Sequence, residues 1–211
     1  MNQRNYQKEL DEIIRRNEAS GTVPKLLLHA CCAPCSSYCL EYLDPYFDIT
    51  VFYFNPNIDD EAEYRKRVAE EQRLIAEMPL SRPVKFLEGP YVPEEYHALV
   101  KGHEKDPEGG ERCGICFEQR LRAAAAAAAR LGYDFFTTTL TISPLKNAAR
   151  LNGIGEACGR EAGVPFLPSD FKKRNGYKRS TELSREYGLY RQDYCGCSYS
   201  KRRQDHGPSP R

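Results

Sequence analysis

Nine cysteines are the strongest constraint on this chain, because seven of them fall in three separated clusters. The clusters are CCAPC, CGIC and CGC, and their cysteines are Cys31, Cys32, Cys35, Cys113, Cys116, Cys195 and Cys197. An odd number of cysteines cannot all pair in disulfides within one chain. Clustered cysteines in an intracellular protein more often bind metal or carry out redox chemistry than form structural disulfides. The sequence therefore predicts a thiolate-bound metal centre.

Length and charge set broader limits. The chain has 211 residues, a hydrophobic fraction of 40% and a charged fraction of 29%, which is typical of one globular domain. The formal net charge of +1 argues neither for nor against a nucleic-acid partner. No apolar run approaches the ~20 residues of a membrane helix, and the polar N-terminus does not resemble a secretory signal. We expect a cytoplasmic protein without a membrane partner.

Strand-like and helix-like segments alternate along the chain. The strands are expected at 25–30, 50–54, 84–87, 133–137 and 164–167, and the helices at 1–20, 59–77, 93–101, 112–131, 148–162 and 171–188. This alternation predicts an α/β fold with a parallel sheet covered by helices. We expect a helical extension over residues 1–24, a single α/β domain over 25–200 and a disordered tail over 201–211.

The carboxyl ends of the strands are where the chemistry is expected. Ligands of open parallel sheets bind beyond those ends. Cys31, Cys32 and Cys35 follow the first predicted strand, the loop Thr138–Pro144 follows the fourth, and Ser169–Asp170 follows the fifth. These segments should share one edge of the sheet.

The number of clustered cysteines limits which kinds of metal centre the chain can hold. A tetrahedral metal site or a [4Fe–4S] cluster uses four cysteine ligands, so seven leave a surplus. The surplus indicates a cluster with a second metal or a free redox thiol beside it, although a structural zinc site stays open. Cys39 and Cys158 stand apart and are expected to be inert core thiols. His29 is equally compatible with a buried structural role and with a role as ligand or proton donor.

Two alternative chemistries are weaker. Cys32-Ala-Pro-Cys35 follows a strand and begins a helix, as a thioredoxin-like motif does. That interpretation leaves two cysteine clusters unexplained. The chain also lacks a glycine-rich phosphate loop after the first strand, where the cysteines stand instead, which argues against ATP as a substrate.

A basic segment near the last cluster is a candidate RNA-binding surface. Its cations are Lys172, Lys173, Arg174, Lys178 and Arg179, and tyrosines are interleaved with them. Arginine and lysine neutralise phosphates, and aromatic rings stack on unpaired bases. The alternative is a solvated helix face, which is the usual role of a run of charges.

Five motifs in order, HACCAPCS, RCGICFEQRL, TTTLTISPLKN, SDFKKRNGYKRS and YRQDYCGCSYS, give the chain a specific resemblance to the cobalamin-independent epoxyqueuosine reductases. The resemblance runs from about Lys25 to Ser200. It implies a HUP-like α/β domain that carries a [4Fe–4S] cluster next to a second, mononuclear metal, which we expect to be iron. It also implies the reaction, which reduces the epoxide of epoxyqueuosine to an alkene at the wobble position of tRNA.

The resemblance further implies partners and ligands. The tRNAs are those with GUN anticodons, for aspartate, asparagine, histidine and tyrosine, and an external electron donor is needed. Cys31 or Cys32, both cysteines of the CGIC motif, and one cysteine of the CGC motif would hold the cluster. The remaining thiols of the CC and CGC pairs would hold the second metal. Some relatives have aspartate at position 35, so Cys35 is expected at the second metal.

Removal of an epoxide oxygen takes two electrons and two protons. Tyr194, Asp193 and His29 are the candidate proton donors. Two other functions remain as hypotheses. One is a zinc-stabilised RNA-binding module without redox activity. The other is a tRNA sulfur-transfer enzyme on the same fold, which would need the ATP site that the sequence does not show.

Overall fold

A four-stranded parallel sheet with the order β3-β2-β1-β4 forms the centre of the molecule. The computed structural model describes residues 4–201. The strands are β1 (Lys25–Ala30), β2 (Asp48–Tyr53), β3 (Lys85–Glu88) and β4 (Phe135–Thr138). The α-helices are α1 (Tyr6–Ser20), α2 (Ala33–Leu43), α3 (Glu61–Glu77), α4 (Pro93–Leu99), α5 (Glu111–Leu131), α6 (Ala148–Ala162) and α7 (Gly176–Glu186). Short 3₁₀ helices span Thr139–Ile142 and Ser198–Ser200.

Strand β1 occupies an inner position because its side chains are apolar on both faces. Every residue of KLLLHA after Lys25 is buried, as expected for a parallel strand covered on both sides. Alternate residues point to opposite faces of a sheet. Leu26 and Leu28 accordingly belong to one hydrophobic core, and Leu27 belongs to a second core on the other face.

Helices cover both faces. The first core contains apolar side chains of α1, α2 and α3, including Leu10 and Ile14 of α1. The second core contains side chains of α5 and α6, and four of its buried residues are alanines of α5: Ala124, Ala125, Ala127 and Ala128. These small side chains let α5 and α6 pack closely. Gly155 of α6 is required there, because a Cβ atom would lie 2.5 Å from the Phe166 ring.

The sequence predicted the α/β class, the parallel sheet and its flanking helices, and the structure confirms them. None of the helices within residues 4–201 is long and apolar enough to cross a membrane. The predicted core positions of Cys39 and Cys158 are also confirmed, with exposed fractions of 0% and 2%. The predicted tail overlaps the described residues only at Lys201, and the rest of it lies outside them.

The predicted fifth strand at 164–167 is wrong. That segment forms only an isolated bridge, between Phe166 and Phe136. Pro165 lacks an amide hydrogen and cannot donate to a longer ladder. The last helix also begins later than expected, at Gly176, because Arg174 and Asn175 adopt left-handed backbone conformations with φ of 53° and 62°.

Glu71 of α3 is a buried carboxyl group without compensation. The residue is 0% exposed, and neither carboxyl oxygen has a hydrogen-bond partner. The nearby Ser36 hydroxyl donates instead to the carbonyl of Cys32 at 3.2 Å. Burial raises the pKa of Glu71 to about 8. The carboxyl group is therefore neutral at pH 7 and below.

This proton makes stability depend on pH. The unfolded chain releases it near the ordinary glutamate pKa of ~4.3, whereas the folded protein holds it up to about 8. The free energy of unfolding should therefore fall as pH rises through this window. Glu71→Gln removes the effect, so we expect the variant to gain on the order of a few kcal/mol over wild type at pH 8 and little at pH 4.5. Chemical denaturation at both pH values measures the gain.

Glu70 provides the matched control. Its carboxylate accepts from Arg73 at 2.8 Å, and this bond lowers the pKa of Glu70. Glu70→Gln should therefore destabilise the protein at pH 8. An equal gain for Glu71→Gln at both pH values would contradict the buried neutral carboxyl group.

Candidate metal centre

The first cysteine group lies where β1 ends and α2 begins. Cys32 is the N-cap of α2, and Pro34 stands in its first turn, where a missing amide hydrogen costs nothing. The sulfur atoms of Cys31, Cys32 and Cys35 all lie within 4.8 Å of one another. The Cys31 and Cys32 sulfurs are 3.7 Å apart. Two thiolates on one tetrahedral metal with bonds of ~2.3 Å would be about 3.8 Å apart, so the spacing suits one metal ion.

These three thiols share negative charge unequally. Hydrogen bonds from Cys32 and Cys35 lower the pKa of Cys31 well below its ordinary value, and Lys146 acts in the same direction. The pKa values of Cys32 and Cys35 are raised by their contacts with Cys31 and by burial. Within the group, the hydrogen bonds favour negative charge on Cys31. A metal ion would displace the protons that remain on the group, as thiolate ligation requires.

The second group joins the start of α5 to the last cysteine cluster. Cys113 and Cys116 stand in the first turns of α5, and the Gly109 amide donates to the Cys113 sulfur at 3.2 Å. Cys116 and Cys197 pack in one small buried cluster with Tyr96. Burial raises the pKa of Cys116 to about 12.

The CGC turn requires its glycine. Gly196 has a φ of 128°, and a Cβ atom there would lie 2.8 Å from Ile58. Arg67 donates to the Cys195 carbonyl at 3.3 Å, and the Ser198 amide donates to Asp59 at 3.0 Å. These contacts hold both cysteines of the turn beside the other clusters.

The four remaining clustered sulfurs are more widely spread. In the described part of the chain, only the first group brings three or more potential ligand atoms within 4.8 Å of one another. In a four-iron cluster each cysteine binds a different iron, so wider spacing is expected there than around one ion. The structure therefore separates a compact group, Cys31, Cys32 and Cys35, from a wider group, Cys113, Cys116, Cys195 and Cys197.

An open cavity of about 330 Å³ reaches the compact group. Its lining includes Cys195 together with all three sulfurs of that group. Asp193 and Tyr194, two predicted proton donors, also line it. Two exposed side chains, Leu145 and Tyr177, stand among its lining residues, with exposed fractions of 71% and 43%.

Lys146 and Arg191 bring two cations to the cavity, whose lining also includes the carboxylates of Glu108 and Asp193. Lys146 was not among the residues predicted from the sequence. Neither cation pairs with a carboxylate within residues 4–201. The negative charge of Cys195, Cys31 and Cys35 outweighs burial and raises the pKa of Lys146. The sequence feature that could have identified Lys146 as a site residue is its position in the loop after β4, at the same edge of the sheet as Cys31.

His29 lies in a different environment from the other two predicted proton donors. It is 0% exposed, and its ring nitrogens lie 2.9 Å from the Thr138 hydroxyl and 3.1 Å from the Phe54 carbonyl oxygen. Burial and the charge of Arg120 lower the pKa of His29 to about 3. The ring is neutral and fully engaged, which favours the structural role.

Most cationic side chains of the predicted RNA-binding segment form ion pairs with carboxylates. The pairs are Lys172–Asp170 at 2.6 Å, Lys178–Glu182 at 4.0 Å, Arg179–Glu41 at 2.5 Å and Arg174–Asp11. Lys173 makes no ion pair within the described residues. Exposed ion pairs contribute little to stability and can exchange a carboxylate for a phosphate, so RNA binding by this segment stays a prediction.

The chain is similar in sequence to one family of known proteins. The model of the family described as epoxyqueuosine reductase QueH matches residues 26–203. A relative of that name from Streptococcus pyogenes serotype M1 is 45% identical, with 95% of this chain and 79% of the relative covered. Another, from Staphylococcus epidermidis, is 43% identical, with 95% and 86% covered. A third, from Thermotoga maritima, is 36% identical, with 88% and 94% covered.

The match spans all three cysteine clusters and the loop that carries Lys146. The relatives are named as oxidoreductases, and the thiol-lined cavity is suited to a metal-dependent reaction. This chain belongs to the epoxyqueuosine reductase QueH family.

Proposed function

We propose that this chain reduces the epoxide of epoxyqueuosine to the alkene of queuosine at the wobble position of tRNA. The observation that carries the proposal is that Cys31, Cys32, Cys35 and Cys195 line one open cavity, while Cys116 of the second cluster packs with Cys197 of the third. Family membership supplies the reaction. The centre would be a [4Fe–4S] cluster with an adjacent mononuclear iron.

The two sulfur groups suggest how the ligands divide. The wider group, Cys113, Cys116, Cys195 and Cys197, has the four thiols that one cluster needs. The compact group has the spacing of ligands to a single ion. This division differs from the expectation that Cys31 and Cys32 serve different centres, and the 3.7 Å separation of their sulfurs supports assigning both to one ion.

The reaction balances as epoxide plus two electrons and two protons giving alkene plus water. When bound, the metal centre would supply the electrons and polarise the epoxide oxygen as a Lewis acid. Asp193 and Tyr194 line the cavity and are the proposed proton donors. The Lys146 ammonium group lies in the same cavity and would donate a hydrogen bond to the developing oxyanion. His29 would keep the strand ends in place.

The proposed substrate is a tRNA with a GUN anticodon, for aspartate, asparagine, histidine or tyrosine. Tyr177 lies at the cavity with an exposed ring on which a base can stack, and Arg191 offers an unpaired charge for a phosphate. Lys173 and the partly satisfied cations Lys172, Arg174, Lys178 and Arg179 would extend this surface. The proposal also includes an external electron donor, no use of ATP and a cytoplasmic location.

A zinc-stabilised RNA-binding module is the second candidate. The 3.7 Å separation of the Cys31 and Cys32 sulfurs suits zinc as well as iron. That candidate requires a colourless protein with stoichiometric zinc, and it leaves the surplus thiols and the cavity without a role.

Anaerobic reconstitution tests the centre and the activity together. We expect wild-type protein to bind about five irons, from the cluster and the mononuclear site, and to convert epoxyqueuosine in tRNA when given a low-potential reductant. Cys113→Ser or Cys116→Ser should abolish the cluster absorbance. Iron content, visible spectra and nucleoside analysis of digested tRNA are the measurements.

The buried cysteines outside the two groups are the matched controls. Cys39→Ser and Cys158→Ser should leave the visible spectrum unchanged in any protein that folds. Cluster loss in either variant would refute the ligand assignment. A wild-type protein that binds zinc alone and converts no tRNA would refute the reductase.

The proposed RNA contacts at the cavity give a separate prediction. Removing a stacked base contact costs ~1–3 kcal/mol, so Tyr177→Ala should weaken tRNA binding at least about fivefold. Arg191→Ala should weaken binding and reduce the slope of log affinity against log salt by about one. Filter binding over a salt series measures both.

Arg185→Ala is the control for Arg191, because Arg185 is also exposed but does not line the cavity. It should change the affinity less than Arg191→Ala does. Equal effects of the two arginine changes, or no effect of Tyr177→Ala, would contradict entry of the anticodon at this cavity.

A further inference from the structure

Arg120 of α5 is a buried cation without an anionic side-chain partner. It is 1% exposed. Its Nε donates to the Cys116 carbonyl at 3.4 Å, and its Nη1 donates to Asn55 Oδ1 at 3.1 Å. Its Nη2 is buried and has no hydrogen-bond partner among residues 4–201. No carboxylate within residues 4–201 forms an ion pair with it.

Such a charge needs compensation, because an unpaired buried ion costs several kcal/mol. Another deeply buried arginine, Arg67, shows the ordinary solution. Arg67 is 2% exposed and pairs with Glu63 at 2.7 Å. Arg120 has no equivalent carboxylate, so its counter-charge must come from another chemical group.

The groups that surround Arg120 are the predicted metal ligands. Burial alone would lower the pKa of Arg120, but the nearby side chains of Cys116, Cys195 and Cys31 raise it. These cysteines come from all three clusters. Asn55, which accepts from Arg120, also donates to the Ala30 carbonyl at 2.8 Å, next to Cys31. Arg120 therefore connects the backbones that carry Cys31 and Cys116.

We propose that Arg120 is the counter-cation of the thiolate-bound metal centre, and that this fixed charge raises the centre's reduction potential. The proposal rests on the metal centre of the proposed function, but not on its substrate. Arg120 is a positioning residue, since it acts on the substrate only through the centre. Its unpartnered Nη2 is the available hydrogen-bond donor to sulfur, and such bonds also raise the potential.

The loss of this charge has opposite consequences for the two forms of the protein. In the metal-free protein, Arg120 is buried, pairs with no carboxylate of residues 4–201, and has no partner among those residues for its Nη2. Arg120 is then poorly compensated, so a neutral side chain should not lower stability. In the loaded protein the positive charge stabilises the more negative, reduced state. A neutral side chain should therefore shift the potential to more negative values.

The test compares Arg120→Met with wild type, Arg120→Lys and Arg122→Met. Arg122 lies two residues along α5, is exposed, and pairs with Glu118 at 2.8 Å. We expect a more negative cluster potential for Arg120→Met, by anaerobic redox titration, and a smaller rise in melting temperature on metal loading. Arg120→Lys and Arg122→Met should each stay closer to wild type than Arg120→Met does.

If Arg120→Met does not fold, Arg120→Gln, which can still donate to Asn55, takes its place. An unchanged potential and an unchanged loading effect would overturn the proposal. The proposal would also be overturned if Arg120→Met and Arg120→Gln both fail to fold without metal while Arg120→Lys folds. That result would show that the metal-free protein already compensates the charge of Arg120. If the wild-type protein binds no metal, both the proposed metal centre and the role of Arg120 are refuted. If the wild-type protein binds metal but the variants have the same reduction potential and melting-temperature rise as wild type, only the role of Arg120 is refuted.

Discussion

The imidazole of His29 joins the ends of three neighbouring strands. His29 lies on β1, and its ring contacts the Thr138 hydroxyl at the end of β4 and the Phe54 carbonyl just beyond β2. Parallel pairing on both sides of β1 brings these ends to one edge of the sheet. The cysteine loop, the loop with Lys146 and the Asn55 turn all leave from that edge. A buried, neutral histidine therefore holds the base on which the candidate centre is built.

Charge balance links this base to the proposed chemistry. Two cations, Lys146 and Arg120, face the thiols without carboxylate partners in the described part of the chain. Lys146 reaches the cavity, whereas Arg120 lies in the protein interior. Lys146 can therefore contact a substrate, whereas Arg120 can act only on the proposed metal centre. In the proposed centre, these two cations would offset the negative charge of the metal-bound thiolates.

Much of the fold was accessible from the sequence, because continuous apolar strands and amphipathic helices have local signals. The range of β1 was predicted without error. The strand at 164–167 was not, because Pro165 limits pairing and a short apolar run does not reveal its partner. The cysteine spacing was enough to predict a group of thiols that could hold a metal, and the structure brings Cys31, Cys32 and Cys35 together. The grouping of Cys31 with Cys32, the ion pairs of Lys172 and Arg179, and the isolation of Arg120 depend on tertiary contacts, which no local pattern encodes.

The most direct test of the central claim is the location of the metals in crystals grown without oxygen. Anomalous diffraction above and below the iron edge would place each iron relative to the sulfurs. The account predicts one iron bound by Cys31, Cys32 and Cys35, beside a four-iron cluster bound by Cys113, Cys116, Cys195 and Cys197. A single zinc ion, or a four-iron cluster bound through Cys31 or Cys32, would contradict it.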